Sequence, residues 1–214
     1  MNVLALDTTS EFGSLALRSN GEAVAEISIH SPQGFAHLIF PAIGDLLKGA
    51  GIPLEKIDLF AAASGPGSFT GVRVGLSAIK GLAEAGGKPA VSVSNLEALA
   101  SFGNLPLRAV VVDARRGEVY AAVYNSSLHA VFPETVLPLS VWLDSLREPL
   151  YQFLSPTPLA LDGTRFAAMP FLRTPQNIAA AIAACAERGI GCDPAALDAN
   201  YVRRSDAELF WRES

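Results

Sequence analysis

The sequence predicts an α/β protein of two similar lobes with a cleft between them. Three observations carry this. Short apolar strands alternate with helix-period segments through the first half of the chain. A strand ending in aspartate, a polar turn, a glycine and a returning apolar strand occur twice, first from Val3 through Asp7 to Gly13 and again from Ala109 through Asp113 to Gly117. Such an internal echo means two copies of one lobe. Finally, a glycine-rich loop, Gly65-Pro66-Gly67-Ser68-Phe69-Thr70-Gly71, joins a strand to a helix.

In order along the chain, Val3 to Leu6 is an apolar strand, and Asp7-Thr8-Thr9-Ser10 is a polar turn. Gly13 to Leu17 returns as a second strand, and Ala23 to Ile29 follows the Ser19-Asn20-Gly21 turn as a third. Ile39, Ala42, Ile43, Leu46, Leu47 and Ala50 recur at helical spacing, which predicts a helix over about 34–50. Pro41 fits that helix only within its first turn or at a kink. Leu59 to Ala63 is a buried strand, the glycine-rich loop follows, and a second helix is expected over 69–85. After a strand from Pro89 to Val93, Ser94-Asn95-Leu96-Glu97 fits a capping box. The first lobe is placed at 1–105 and the second at 106–214. In the second, Ala109 to Val112 and Glu118 to Tyr124 are strands, Leu139 to Leu146 a short helix and Leu159 to Leu161 a strand. Thr174-Pro175 is an N-cap and first-turn pair for a helix to about Glu187, and Asp193-Pro194 repeats the signal for a final turn. The tail through Trp211 is expected to pack back on a lobe.

At 214 residues, 50% of them hydrophobic, the chain is long enough to bury a core in each lobe. No apolar run approaches the roughly 18 residues of a membrane span, so no membrane partner is expected. The start, Met1-Asn2-Val3, lacks the basic and apolar regions of a signal peptide, and a cytoplasmic location is expected. A net charge of -5 argues against a protein that grips RNA alone. The pairs Arg115-Arg116 and Arg203-Arg204 read as solvated arginines. Cys185 and Cys192 form no CxxC pair and read as buried thiols.

The chemistry-bearing candidates gather at two loops. Gly65, Gly67, Ser68, Thr70 and Gly71 stand where a helix dipole and exposed N–H groups can hold an anion. The same glycines also suit a tight, closely packed turn. The loop is neither a Walker A motif nor a dinucleotide fingerprint. Asp7 with Thr8, Thr9 and Ser10 has the makings of a magnesium–phosphate site, or of a turn satisfying its own backbone. With Asp113 it raises an ATPase or kinase arrangement across the cleft. His30, His37 and His129 lack metal-ligand spacing, and no nucleophile–base set is present, so no catalytic residue and no metal are assigned.

Asp7-Thr8-Thr9-Ser10, His37-Leu38-Ile39-Phe40-Pro41 and above all the run from Gly65 to Gly75 resemble the TsaB (YeaZ) family, bacterial tRNA threonylcarbamoyladenosine biosynthesis proteins that are paralogues of the glycoprotease-like TsaD family. Val93 to Leu99, Asp113 to Tyr120 and Tyr201-Val202-Arg203-Arg204 continue the likeness over essentially the whole chain. The resemblance implies a two-lobed, actin-like ATPase (ribonuclease H-like) fold with duplicated mixed sheets flanked by helices. It implies a non-catalytic scaffold or activator of the complex that adds the threonylcarbamoyl group to N6 of adenosine 37 in tRNAs reading ANN codons. Its partners would be a TsaD-like catalytic subunit and a TsaE-like ATPase, with a homodimer as the other pairing and tRNA met through the complex. No cofactor is firmly implied, although ATP or ADP at the complex interface is compatible with it. The partner face would lie on Ile39, Ala42, Ile43, Leu46 and Leu47 of the first helix and Val72, Leu76, Ile79 and Leu82 of the second. The His-x-x-x-His metal pair of TsaD is absent from the sequence, and no protease activity is expected. The alternative is a stand-alone actin-like ATPase or kinase using Asp7 and Asp113.

Overall fold

The first lobe is built on a mixed sheet of five strands. In this computed structural model, which describes residues 1–189 and 191–203, β1 (Asn2–Asp7), β2 (Phe12–Ser19) and β3 (Glu22–His30) form an antiparallel meander. β4 (Leu59–Ala63) pairs parallel to β1, and β5 (Ala90–Val93) parallel to β4, so the order is β3-β2-β1-β4-β5. The second sheet contains β6 (Leu107–Asp113), β7 (Glu118–Asn125), β8 (Ala130–Pro138), β9 (Gln152–Ser155) and β10 (Phe171–Arg173), in the order β10-β9-β6-β7-β8. Read from its other edge, with β6 in the place of β1, this is the topology of the first sheet. The Asp7 and Asp113 echo is thus the visible trace of a duplicated sheet, and the two-lobed, actin-like architecture is present.

Helices sort into layers according to which face of each sheet they cover. α1 (Ile39–Ala50) and α2 (Phe69–Gly86) lie on the outer face of the first sheet. α3 (Asn95–Ala100) and α5 (Ala179–Ala186) lie between the two sheets, and α4 (Leu139–Ser145) covers the outer face of the second. Alternation along a strand sends successive side chains to opposite faces. In β1, Leu4 and Leu6 meet α1 and α2, whereas Val3 and Ala5 meet the layer between the sheets. In β6, Ala109 and Val111 face α4 while Val110 faces inward. Both strands are covered on two sides, which is why they read as unbroken apolar runs.

Local chemistry explains most boundaries. α1 begins at Ile39, several residues after the expected start, because 31–38 are held in turns: the Ser31 hydroxyl donates to Gly34 O at 2.6 Å, and Leu38 N to Phe35 O at 2.8 Å. Pro41 then falls in the first turn, where its missing N–H leaves no gap. Gly51 and Gly87 close α1 and α2 in left-handed conformations. Ser94 caps α3, accepting from the N–H groups of Leu96 and Glu97.

Four expectations are corrected. The helix expected after Thr174-Pro175 starts only at Ala179; Thr174 N instead donates to Ser155 O at 3.0 Å and prolongs the β9–β10 pairing. The strand expected at 159–161 is irregular, and the strands lie at β9 and β10. Cys185 is buried but Cys192 is exposed. Lastly, Ile39, Ile43, Leu46, Leu47, Val72, Leu76 and Ile79, expected on a partner face, are buried in the chain's own core, with Ala42 and Leu82 partly buried against it. Helical periodicity marks the stripe that faces the sheet, and here the chain itself covers it. Arg204 and the tail through Trp211 lie outside the described residues.

Candidate functional site

The site forms where β1 ends. Asp7 is 2% exposed, and its Oδ1 accepts from Thr9 N at 2.9 Å and Thr9 Oγ1 at 2.7 Å. Asn95, the first residue of α3, donates to Thr9 Oγ1 at 2.6 Å and accepts from Gly65 N at 3.0 Å, tying the tip of the β1–β2 hairpin to the glycine-rich loop. Burial pushes the Asp7 carboxyl above its ordinary value, and the hydrogen bonds from Thr9 and Asn95 oppose that shift only in part.

The glycine-rich loop wraps the same tip. Thr8 Oγ1 donates to Gly71 O at 2.7 Å, and Ser68 N donates to Thr9 O at 2.6 Å. Ser68 caps α2, its hydroxyl accepting from Gly71 N at 3.3 Å. A Cβ at Gly67 would stand 2.6 Å from Thr9 O, and one at Gly71 only 2.0 Å from Thr8 O. These glycines let the chain's own backbone at Thr8 and Thr9 press closely on the loop and the first turn of α2. Ser10 and Thr70 are exposed, and Ser10 Oγ accepts from Phe12 N at 3.1 Å.

Across the cleft, Asp113 ends β6 as Asp7 ends β1, but it is exposed and accepts from Arg115 N at 2.8 Å. Arg115, Arg116 and Gly117 all have positive φ in the turn to β7. Asp7 and Asp113 both line an interlobe cavity of about 970 Å³. Of the other candidates, Thr9, Ser10, Gly67 and Ser68 line it too. Thr8, Gly65, Thr70 and Gly71 are not in its wall. Among the described residues, no group of three or more His, Cys, Asp or Glu side chains is placed to hold a metal ion.

Three contributors escaped sequence reasoning. Asn95 had no signal beyond its place after the Ser94 cap. Glu134 on β8 accepts from Ser94, from Tyr124 and from Asn200, so one carboxylate joins the second sheet to the first lobe and to the end of the described chain. Arg203, read as solvated, donates to Ala114 O at 2.8 Å and pairs with Glu118. Nearby, burial followed by the charge of Glu134 raises the Tyr124 hydroxyl, and burial raises the Glu97 carboxyl.

A family model described as "TsaD: tRNA N6-adenosine threonylcarbamoyltransferase" matches residues 29–198. Over 153 residues the chain is 34% identical to the tRNA threonylcarbamoyladenosine biosynthesis protein TsaB of Bacillus subtilis, covering 69% of this chain and 67% of that one. It is 37% identical over 145 residues to the TsaB of Escherichia coli, covering 64% of this chain and 62% of that one. The solved structure of YeaZ from Pseudomonas aeruginosa superposes with a TM-score of 0.74 at 26% identity, covering 94% of this chain and 99% of that one.

Proposed function

Since the chain belongs to the TsaB (YeaZ) family of tRNA threonylcarbamoyladenosine biosynthesis proteins, we propose that it serves there as a non-catalytic subunit that pairs with a TsaD-type transferase and works with a TsaE-type ATPase. The observation that carries this reading is the closure of the glycine-rich loop on Thr8 and Thr9. The loop that would cradle a phosphate in an enzyme here fastens the start of α2 to the sheet. The loop fixes a helix rather than a substrate, and a fixed helix is what a docking surface needs.

Pairing is placed on the outward sides of α1 and α2. Phe40 is 57% exposed on α1, Phe69 at the start of α2 is 42% exposed where it also lines the cavity, and a Cβ at Gly44 or Gly81 would meet nothing within 4 Å. A large exposed aromatic one turn from a small residue, as Phe40 is from Gly44, suits close approach by another helical surface. Phe40→Glu is expected to weaken pairing with the TsaD-type subunit by roughly tenfold or more, the scale of losing one aromatic anchor, and to leave the fold intact. Leu76→Glu would instead place a charge in the chain's own core, where Leu76 is 5% exposed. The decisive assay reconstitutes tRNA modification from the TsaD-type and TsaE-type proteins and the adenylate-forming enzyme. Equal modification without this chain would overturn the subunit reading, and unchanged pairing by Phe40→Glu would move the interface elsewhere.

The shared cavity wall of Asp7 and Asp113 favours a second reading, an actin-like ATPase in its own right. Calorimetry of ATP with the isolated chain tests it: binding that Asp7→Asn abolishes supports the enzyme, and no heat of binding removes it.

A further inference from the structure

We propose that residues 198–203 act as a strap that couples the start of α2 to the β6–β7 turn across the interlobe cavity that both line. The segment leaves a short 3-10 turn (Pro194–Ala196) that packs along α2, and it then crosses from one lobe to the other. Asn200 N donates to Ser64 O at 2.8 Å at the end of β4, while its side chain donates to Glu134 of the second sheet at 2.5 Å. Tyr201 turns back to the first lobe. Its ring lies 5.2 Å from that of Phe69, and its hydroxyl accepts from Arg73 Nε at 3.0 Å, with the Arg73 guanidinium 3.7 Å above the Phe69 ring. Arg203 reaches the other way, to Ala114 O and Glu118, with its guanidinium 5.7 Å from the Tyr120 ring.

The coupling follows from chain length. Only Val202 separates the two anchors, and at about 3.5 Å per residue their Cα atoms can never lie more than about 7 Å apart. Anything that lifts Tyr201 from Phe69 and Arg73 must draw on Arg203. Arg203 in turn holds Ala114, the residue after Asp113, within a hairpin whose own bonds are Ala114 N to Glu118 O at 3.0 Å and Glu118 N to Arg115 O at 3.1 Å. The α2 end of the strap is also the accessible one, since Tyr201 is 46% exposed and Phe69 42%. A surface that settles on the start of α2 competes for the same aromatic and cationic groups, and so acts on the β6–β7 side of the cavity, which Arg203 holds. The strap itself needs no partner; its use by one rests on the pairing side proposed above.

The test therefore uses the isolated full chain. Amide hydrogen exchange is followed residue by residue in wild type, Tyr201→Ala and Arg203→Ala. Tyr201→Ala is expected to raise exchange at Ala114 and Glu118 by about five- to tenfold, the effect of losing one charge-assisted hydrogen bond and its ring contact. Arg203→Ala is expected to do the reverse, loosening the Tyr201 ring signals while leaving Phe69 in place. Tyr201→Phe, which keeps the ring and loses the acceptor, should fall between. Changes confined to each variant's own end of the strap would overturn the coupling. Adding the TsaD-type subunit separates the two proposals: pairing that Phe40→Glu leaves unchanged refutes the docking side, whereas wild-type pairing with unchanged exchange at Ala114 and Glu118 refutes the coupling.

Discussion

Gly71→Ala puts the packed-loop reading at risk. A methyl at this position would lie 2.0 Å from Thr8 O and 3.0 Å from Thr8 C, and both are backbone atoms that no rotamer change can move. Either the hairpin tip or the start of α2 must shift by more than about 1 Å. That shift breaks the Thr8 Oγ1 bond to Gly71 O and weakens the Ser68 N bond to Thr9 O. Overpacking of this kind costs about 1–3 kcal/mol, and each lost hydrogen bond about 1 kcal/mol. Better helix propensity of alanine returns about 1 kcal/mol. The net is a loss of about 2–4 kcal/mol. Gly81 lies in the same helix with nothing within 4 Å of an added Cβ, so Gly81→Ala keeps the propensity gain of about 1 kcal/mol without the clash. Urea titrations of the two variants should move in opposite directions and differ by about 3–5 kcal/mol with similar m values. A Gly71→Ala protein as stable as Gly81→Ala would refute the packing argument and return the loop to the role of an anion site.

Two further outcomes follow from the site and the inner layer. Burial raises the Asp7 carboxyl above its ordinary 3.8, so the folded state binds that proton more tightly than the unfolded one; its stabilising contribution is full below the unfolded value and is lost as pH rises through the folded one. Asp7→Asn should therefore gain on wild type as pH is raised from about 4 to about 7 in urea titrations, and a difference constant over that range would contradict the burial argument. For the thiols, exposed Cys192 should react with an aromatic disulfide reagent at once. Cys185, buried on α5 with its thiol pushed up to about 12, should react only on unfolding. Two fast thiols would show that α5 is not seated between the sheets.

Elements whose signals are local were legible in the sequence. β4, with its unbroken run from Leu59 to Ala63, and the Ser94 cap stand where the residues put them. The start of α5 was not legible, because its cap comes from elsewhere: Ala179 N donates to Ser14 Oγ on β2, 165 residues away. β9 and β10 are four and three residues long, too short to show a period. The helical stripes of α1 and α2 were located correctly but turned the wrong way, since periodicity reports which side is apolar and not what covers it. At the site, Asp7 and the loop were visible as residue types. Asn95, Glu134 and Arg203 were invisible because their partners come from other lobes and distant strands.

The duplication shows why one half of the cleft became a fastening. The two sheets share a strand order, yet their cleft ends have diverged. After β4 the chain builds an 18-residue helix, and its glycines let the helix start press on the Asp7 tip. At the matching point after β9 it runs through residues 156–170 without a regular helix, and Asp113 is left exposed, held through the turn that begins at Arg115. Here one carboxyl is buried, with its pKa raised by that burial, and its neighbours are bonded to one another. Both tips line the cavity, and beside the second Arg203 holds Ala114, the residue after Asp113. On the reading proposed here the two halves do different work: the first lobe supplies a stiff outer helix, and the second a turn that residues 198–203 hold at the cavity they share.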